Sequence, residues 1–134
     1  MSTIGFLTSD LMFHSRVSQS IKDLKSDVRN DESNIATEFK LVVNRSSDKL
    51  IEKLLESADT KLVIIDLSLR DLNMESVMKA LRDSLPGVPI IAYGPHVAGV
   101  LLQAAADAGV DTVYTRGQFD HRMTEIISDC IKTS

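Results

Sequence analysis

The run Lys61-Leu62-Val63-Ile64-Ile65-Asp66 constrains this chain more than any other stretch: four consecutive apolar residues, three of them β-branched, stopped by a carboxylate. A strand with one wet face would alternate polar and apolar side chains. A run that is short and continuously apolar instead fits a central parallel strand covered on both faces. In open α/β sheets ligands bind at the carboxyl ends of such strands. Two readings of Asp66 stay open at this point: a functional carboxylate at that edge, or a residue that only ends the strand and caps the next segment.

The flanking sequence supplies more units of the same kind. Thr3 to Leu7 reads as a first strand, and Thr8-Ser9-Asp10 offers three possible caps for the helix that follows, whose inner face is Val17, Ile21, Leu24 and Val28. Ser26 to Ser33 is dense in charge and small polar residues, and is expected to be a frayed helix end and a surface loop. Phe39 to Val43 is a second strand. Ser or Asp within Asn44 to Asp48 caps a helix with a Leu50, Ile51, Leu54, Leu55 stripe. After the central strand, Met74, Val77, Met78, Leu81 and Leu85 fit a third helix stopped by Pro86-Gly87. Val88 to Tyr93 makes strand four, broken by Gly94-Pro95, with Pro95 expected in the first turn of helix four. That helix is predicted to turn Val97, Val100, Leu101, Ala104, Ala105 and Ala108 inward and to end at Gly109. Val110 to Tyr114 is strand five, Arg116-Gly117 a turn, and Met123, Ile126, Ile127 and Cys130 the inner face of a last helix.

Regular alternation of strand and helix predicts a parallel sheet joined by right-handed crossovers. Five such units fit an α/β, flavodoxin-like (βα)5 doubly wound sheet of order 2-1-3-4-5 with helices on both faces. With 134 residues the chain is too short for an eight-unit barrel and is expected to form a single domain. Composition agrees: 43% hydrophobic and 25% charged residues are those of an ordinary globular protein. A net charge of −4 argues against a broad nucleic-acid surface, and no apolar run is long enough for a membrane span. The single cysteine, Cys130, cannot form an intramolecular disulfide, and no secretory segment is visible, so a cytoplasmic location is expected.

In the 2-1-3-4-5 order the carboxyl ends of strands one, three, four and five bring together Ser9 and Asp10, Asp66, Gly94, and Arg116. This set, with Val63-Ile64-Ile65-Asp66, Pro89-Ile90-Ile91-Ala92-Tyr93 and Ala104 to Asp111 in that order, resembles the receiver domain of bacterial response regulators over nearly the whole chain. The resemblance implies one receiver-like domain over residues 1–134 with no output domain, acting in two-component phosphorelay signalling. It implies that Asp66 is the phosphoacceptor, forming an acyl phosphate. It further implies Mg2+ held by Asp10, Asp66 and the backbone carbonyl of Ser68, and a histidine kinase or phosphotransfer protein as partner. Hard oxygen ligands of this kind suit Mg2+.

Three positions depart from that pattern. Ser9 stands where the family has an acid, Gly94 where it has a Ser or Thr hydroxyl that follows the phosphoryl group, and Arg116-Gly117 where it has Lys-Pro. Arginine presents a planar fork suited to bidentate contact, so Arg116 is expected to pair with Asp66 and keep it ionised. The departures open an alternative function, a pseudo-receiver acting as a phosphorylation-independent protein-interaction module. Val113 occupies the strand-five position that carries an aromatic switch residue in the family, with Tyr114 on the opposite face.

Other chemistry has little support. There is no Gly-rich phosphate loop for a flavin or nucleotide, and no G-x-S-x-G nucleophile turn. His14, His96 and His121 lie in separate segments without metal-ligand spacing. Met74, Met78, Cys130 and Phe119 read as core residues.

Overall fold

The computed structural model describes residues 2–29, 39–57 and 59–132. Five strands, β1 (Ser2–Leu7), β2 (Phe39–Asn44), β3 (Thr60–Asp66), β4 (Ile90–Gly94) and β5 (Thr112–Thr115), form one sheet of order β2-β1-β3-β4-β5. Every neighbouring pair is parallel. The helices between and after them are α1 (Leu11–Arg29), α2 (Ser47–Glu56), α3 (Met74–Ser84), α4 (Gly99–Asp107), α5 (Arg116–His121) and α6 (Met123–Lys132). This is the flavodoxin-like order expected from the alternation of elements.

The central strand explains the two layers. Successive side chains of a strand point to opposite faces, so Val63 and Ile65 enter a core shared with α2, α3 and α4, including Leu54, Met78, Leu81 and Ala105. Leu62 and Ile64 enter the other core, with Phe13, Val17 and Ile21 of α1 and Phe119, Met123 and Ile127 of α5 and α6. All four β3 residues are fully buried. Gly5 in β1 lets α2 approach closely: a Cβ there would lie 2.7 Å from Leu54 Cδ1.

Local chemistry sets the helix starts. Ser46 caps α2 by accepting the Lys49 N–H at 3.4 Å, and Asn73 caps α3 through the Ser76 N–H at 3.1 Å. The α3 helix ends just before Pro86-Gly87, as the sequence predicts, and Gly109 after α4 takes a positive φ of 97° that only glycine adopts without strain.

Helix α1 runs through Ser26 to Arg29, the helix end expected there; the surface loop expected over residues 30–33 and the Val28 side chain lie outside the described residues. Several expectations are corrected. Leu55 is exposed, because the α2 stripe that touches the sheet is narrower, Leu50, Ile51 and Leu54. Pro95 does not enter α4. A turn closed by Ala98 N–H to Pro95 O at 2.9 Å intervenes, and the helix starts at Gly99. The inner face of α4 is consequently Leu102, Ala105 and Ala108, while Val97, Val100, Leu101 and Ala104 face outward. Gly99 to Ala106 is uncharged all round, so periodicity alone could not choose its face. Arg116-Gly117 is the first turn of α5 rather than a loop. Thr115 caps it in a reciprocal capping box with Gln118, and the last helical region is split at Arg122 into α5 and α6.

Candidate functional site

The carboxyl ends of β1, β3, β4 and β5 meet at one edge, with Asp66 at its centre. Asp66 is 3% exposed, so its carboxylate needs partners. It has three. Thr8 donates its hydroxyl to Oδ2 at 2.7 Å, and Ser68 donates both its N–H, at 3.0 Å, and its hydroxyl, at 2.6 Å, to Oδ1. The parallel register places Leu7 beside Ile65, which brings Thr8, the next residue, beside Asp66. Thr8 is itself buried and also accepts the Asp10 N–H at 3.0 Å, so its oxygen both donates and accepts.

Asp10 lies one step outside this ring. Its Oδ1 accepts the N–H groups of Met12 and Phe13, both at 3.1 Å, capping α1. Its Oδ2 pairs with Arg116 Nη2 at 2.9 Å. The hydrogen bond from Phe13 N–H is the main reason the Asp10 carboxyl sits below its usual range, with the Arg116 charge adding to it against a partial loss of hydration. The predicted pairing of Arg116 with Asp66 is therefore replaced by Arg116 with Asp10. Thr115 caps α5 at the end of β5 and sets Arg116 at the start of that helix, from which the side chain reaches the α1 N-terminus rather than β3. The guanidinium also stacks over the Phe13 ring, Cζ 4.9 Å from its centroid.

An aromatic group underlies the edge. Tyr93 of β4 stacks on Phe119 at 5.0 Å and contacts Phe13 at 4.6 Å and Phe6 at 6.2 Å between centroids. Its hydroxyl is buried beside the Thr8 hydroxyl, outside good hydrogen-bond geometry. Burial, and then the negative charge of Asp66, push the Tyr93 phenol well above its ordinary range.

Gly94 ends β4 and is buried. A Cβ there would stand 3.1 Å from Leu67 Cβ and 3.5 Å from Leu102 Cδ2, so the space beside it is filled by apolar side chains. Ser9 is exposed at the rim, as is Gly117. Val113 packs against the α2–α3–α4 core and Tyr114 against the opposite one, where its ring is 6.1 Å from Phe119, the division expected from the period of a strand. Phe119 is fully buried, whereas Cys130 is only half-buried.

Asp66, Asp10, Ser68, Gly94 and Arg116 all lie along the carboxyl ends of the strands, whereas the pairing of Thr8 with Asp66 is not among the expectations from sequence. The signal was available in the strand lengths: a parallel register that ends β3 at Asp66 places beside it the first polar residue after β1.

Receiver domains generally bind Mg2+ in an acidic pocket at this edge. Among the described residues, no group of three or more His, Cys, Asp or Glu side chains is arranged to hold a metal ion. The residues present do not fit the ion well: the Asp66 oxygens hold three hydrogen-bond donors and those of Asp10 hold a helix cap and an ion pair, so a metal would compete with these contacts, and the position touching Asp66 from β1 is a neutral hydroxyl. No helix among the described residues is long and apolar enough to cross a membrane.

No protein-family profile matches the chain, and no curated relative matches it. Solved structures do. A response regulator from Thermotoga maritima superposes with a TM-score of 0.70 at 12% identity, covering 98% of both chains. The receiver domain of NtrX from Brucella abortus gives 0.72 at 14% identity, over 98% of this chain and 99% of that one. The chemotaxis response regulator CheY4 of Vibrio cholerae gives 0.67 at 12% identity, over 97% and 98%. At these identities the likeness is one of fold: the chain has the CheY-like receiver fold from end to end.

Proposed function

We propose that this chain, built on the receiver fold, works in two-component signal transduction as a protein-interaction module whose Asp66 is a structural carboxylate rather than a phosphoacceptor. The observation that carries this reading is the hydrogen-bond chain from Asp10 N–H through the Thr8 hydroxyl to Asp66, with Ser68 on the other oxygen. A nucleophilic carboxylate presents its lone pairs to phosphorus, and here three donors take three of the roughly four lone-pair positions of a buried carboxylate. Gly94, whose neighbourhood is filled by Leu67, offers no hydroxyl to a phosphoryl group. The partner fitting the fold is a histidine kinase, a phosphotransfer protein or another protein of such a pathway.

One observation favours the second reading, Asp66 as a working phosphoacceptor with Arg116 in place of the lysine: the carboxylate stands at the end of β3 on the edge where open α/β sheets bind ligands. Incubation with acetyl phosphate and Mg2+, read by intact mass, separates the two. The expected result is no phosphoryl adduct. An adduct that disappears in Asp66→Asn would establish the second reading instead.

A further inference from the structure

We infer that Arg116 supplies, from within the chain, the positive charge that a divalent cation would bring to this edge, so that the site takes no Mg2+ and the β5–α5 junction is tied directly to the start of α1. This rests on the reading of Asp66 as a structurally held carboxylate, and adds to it a claim about cations that phosphodonor treatment does not address.

The donor inventory is the first argument. Mg2+ demands near-octahedral oxygen coordination at short range and gives up its waters reluctantly, so it needs carboxylate lone pairs that are free to turn toward it. Asp66 is the only buried carboxylate among the described residues, and its two oxygens receive Thr8 and Ser68. The Thr8 oxygen donates to Asp66 and accepts from Asp10 N–H. Asp10 gives one oxygen to the α1 N-terminus and the other to Arg116. A metal using Asp10 would compete with a helix cap and an ion pair, and at Asp66 it would meet a carboxylate that already holds three donors.

Placement of the cation is the second. Thr115 and Gln118 hold the first turn of α5 in a capping box, fixing the Arg116 backbone. Its guanidinium is then held on two sides, by the Asp10 carboxylate at 2.9 Å and by the Phe13 ring at 4.9 Å. Phe13 in turn packs on Tyr93 and Phe119, residues of β4 and α5. One side chain therefore joins α1, β5 and α5 through charge and aromatic contact. The pair is partly exposed, with Arg116 half accessible, so its charge can be removed without opening the core.

The test is titration of the full chain with MgCl2 against NaCl of equal ionic strength, following the backbone amide signals of Thr8 to Phe13, Ser68 and Arg116 by 1H–15N NMR. The wild type is expected to show no saturable Mg2+-specific shift. Arg116→Gln leaves the Asp10 charge uncompensated and is expected to show a saturable Mg2+-dependent shift at the Asp10 amides that the wild type lacks at the same concentrations. Arg116→Lys keeps the charge and is expected to behave as the wild type. Saturable Mg2+ shifts in the wild type centred on Asp10 and Asp66 would overturn the inference, as would an Arg116→Gln response identical to that of the wild type. Mg2+ binding without any phosphoryl adduct would overturn this inference alone and leave the proposed function standing.

Discussion

Thr8 and Asp66 share a hydrogen bond of 2.7 Å that joins the end of β1 to the end of β3 across 58 residues of sequence. Both side chains are buried, so the bond has no competing water and neither group can lose its partner cheaply. The sheet edge is thus built around a neutral donor meeting a carboxylate, where a second acid would have repelled Asp66.

Replacing Thr8 by Val keeps the shape but removes the hydroxyl. Asp66 loses one of its three donors, and the Asp10 N–H loses its acceptor. The expected loss in urea-unfolding free energy is about 1–3 kcal/mol, the cost of an unsatisfied buried polar group. Thr8→Ser retains the hydroxyl and should lose markedly less.

A double-mutant cycle on Asp10→Asn and Arg116→Gln isolates the ion pair, because asparagine still caps α1. The pair is partly solvated, so the coupling energy is expected at about 0.2–1 kcal/mol, shrinking as salt is raised. Asp10→Ala also loses the cap and should cost about 1 kcal/mol more.

Acid stability follows from the same residue. The Asp10 carboxyl titrates below its ordinary value of 3.8 in the folded chain, chiefly through the Phe13 N–H. A depressed folded value means that its stabilisation is present above the unfolded value and is lost as pH falls through the folded one. Asp10→Asn is therefore expected to flatten the stability curve on the acid side of the ordinary value of 3.8. Its curve should otherwise run parallel to that of the wild type near neutrality.

Tyr93 carries the opposite sign. Burial holds its phenol neutral above the ordinary value of 10.0, so stability should fall as pH rises past the unfolded value and the unfolded chain ionises first. Tyr93→Phe removes both this alkaline dependence and a buried hydroxyl without a hydrogen bond. It is expected to raise stability at neutral pH by about 1 kcal/mol, read by thermal or urea unfolding.

Restoring a hydroxyl at the end of β4 should not be free. In Gly94→Thr the new Cβ meets Leu67 Cβ at 3.1 Å and Leu67 Cδ1 at 3.4 Å, so a loss of about 1–3 kcal/mol is expected from overpacking. Leu67→Ala keeps the Cβ that makes this contact and removes only the Cδ1 neighbour at 3.4 Å, so the loss of the double variant should stay close to the sum of the two single losses.

The sequence by itself determined the strand runs, the helical stripes and the two-layer arrangement, because the unbroken apolar run Leu62-Val63-Ile64-Ile65 and the spacing of Val17, Ile21 and Leu24 report geometry that is settled within a few residues. It also delivered Asp66 to the sheet edge, since a carboxylate after a buried run has nowhere else to go. Only the tertiary structure decided that Thr8 is its partner, that Arg116 turns to Asp10 across 106 residues, and that Val97 and Val100 face outward. Those outcomes depend on the register between strands, on the cap that starts α5 and on the rotation of a helix apolar on every side. Each is a relation between distant segments, and local periodicity carries no information about it.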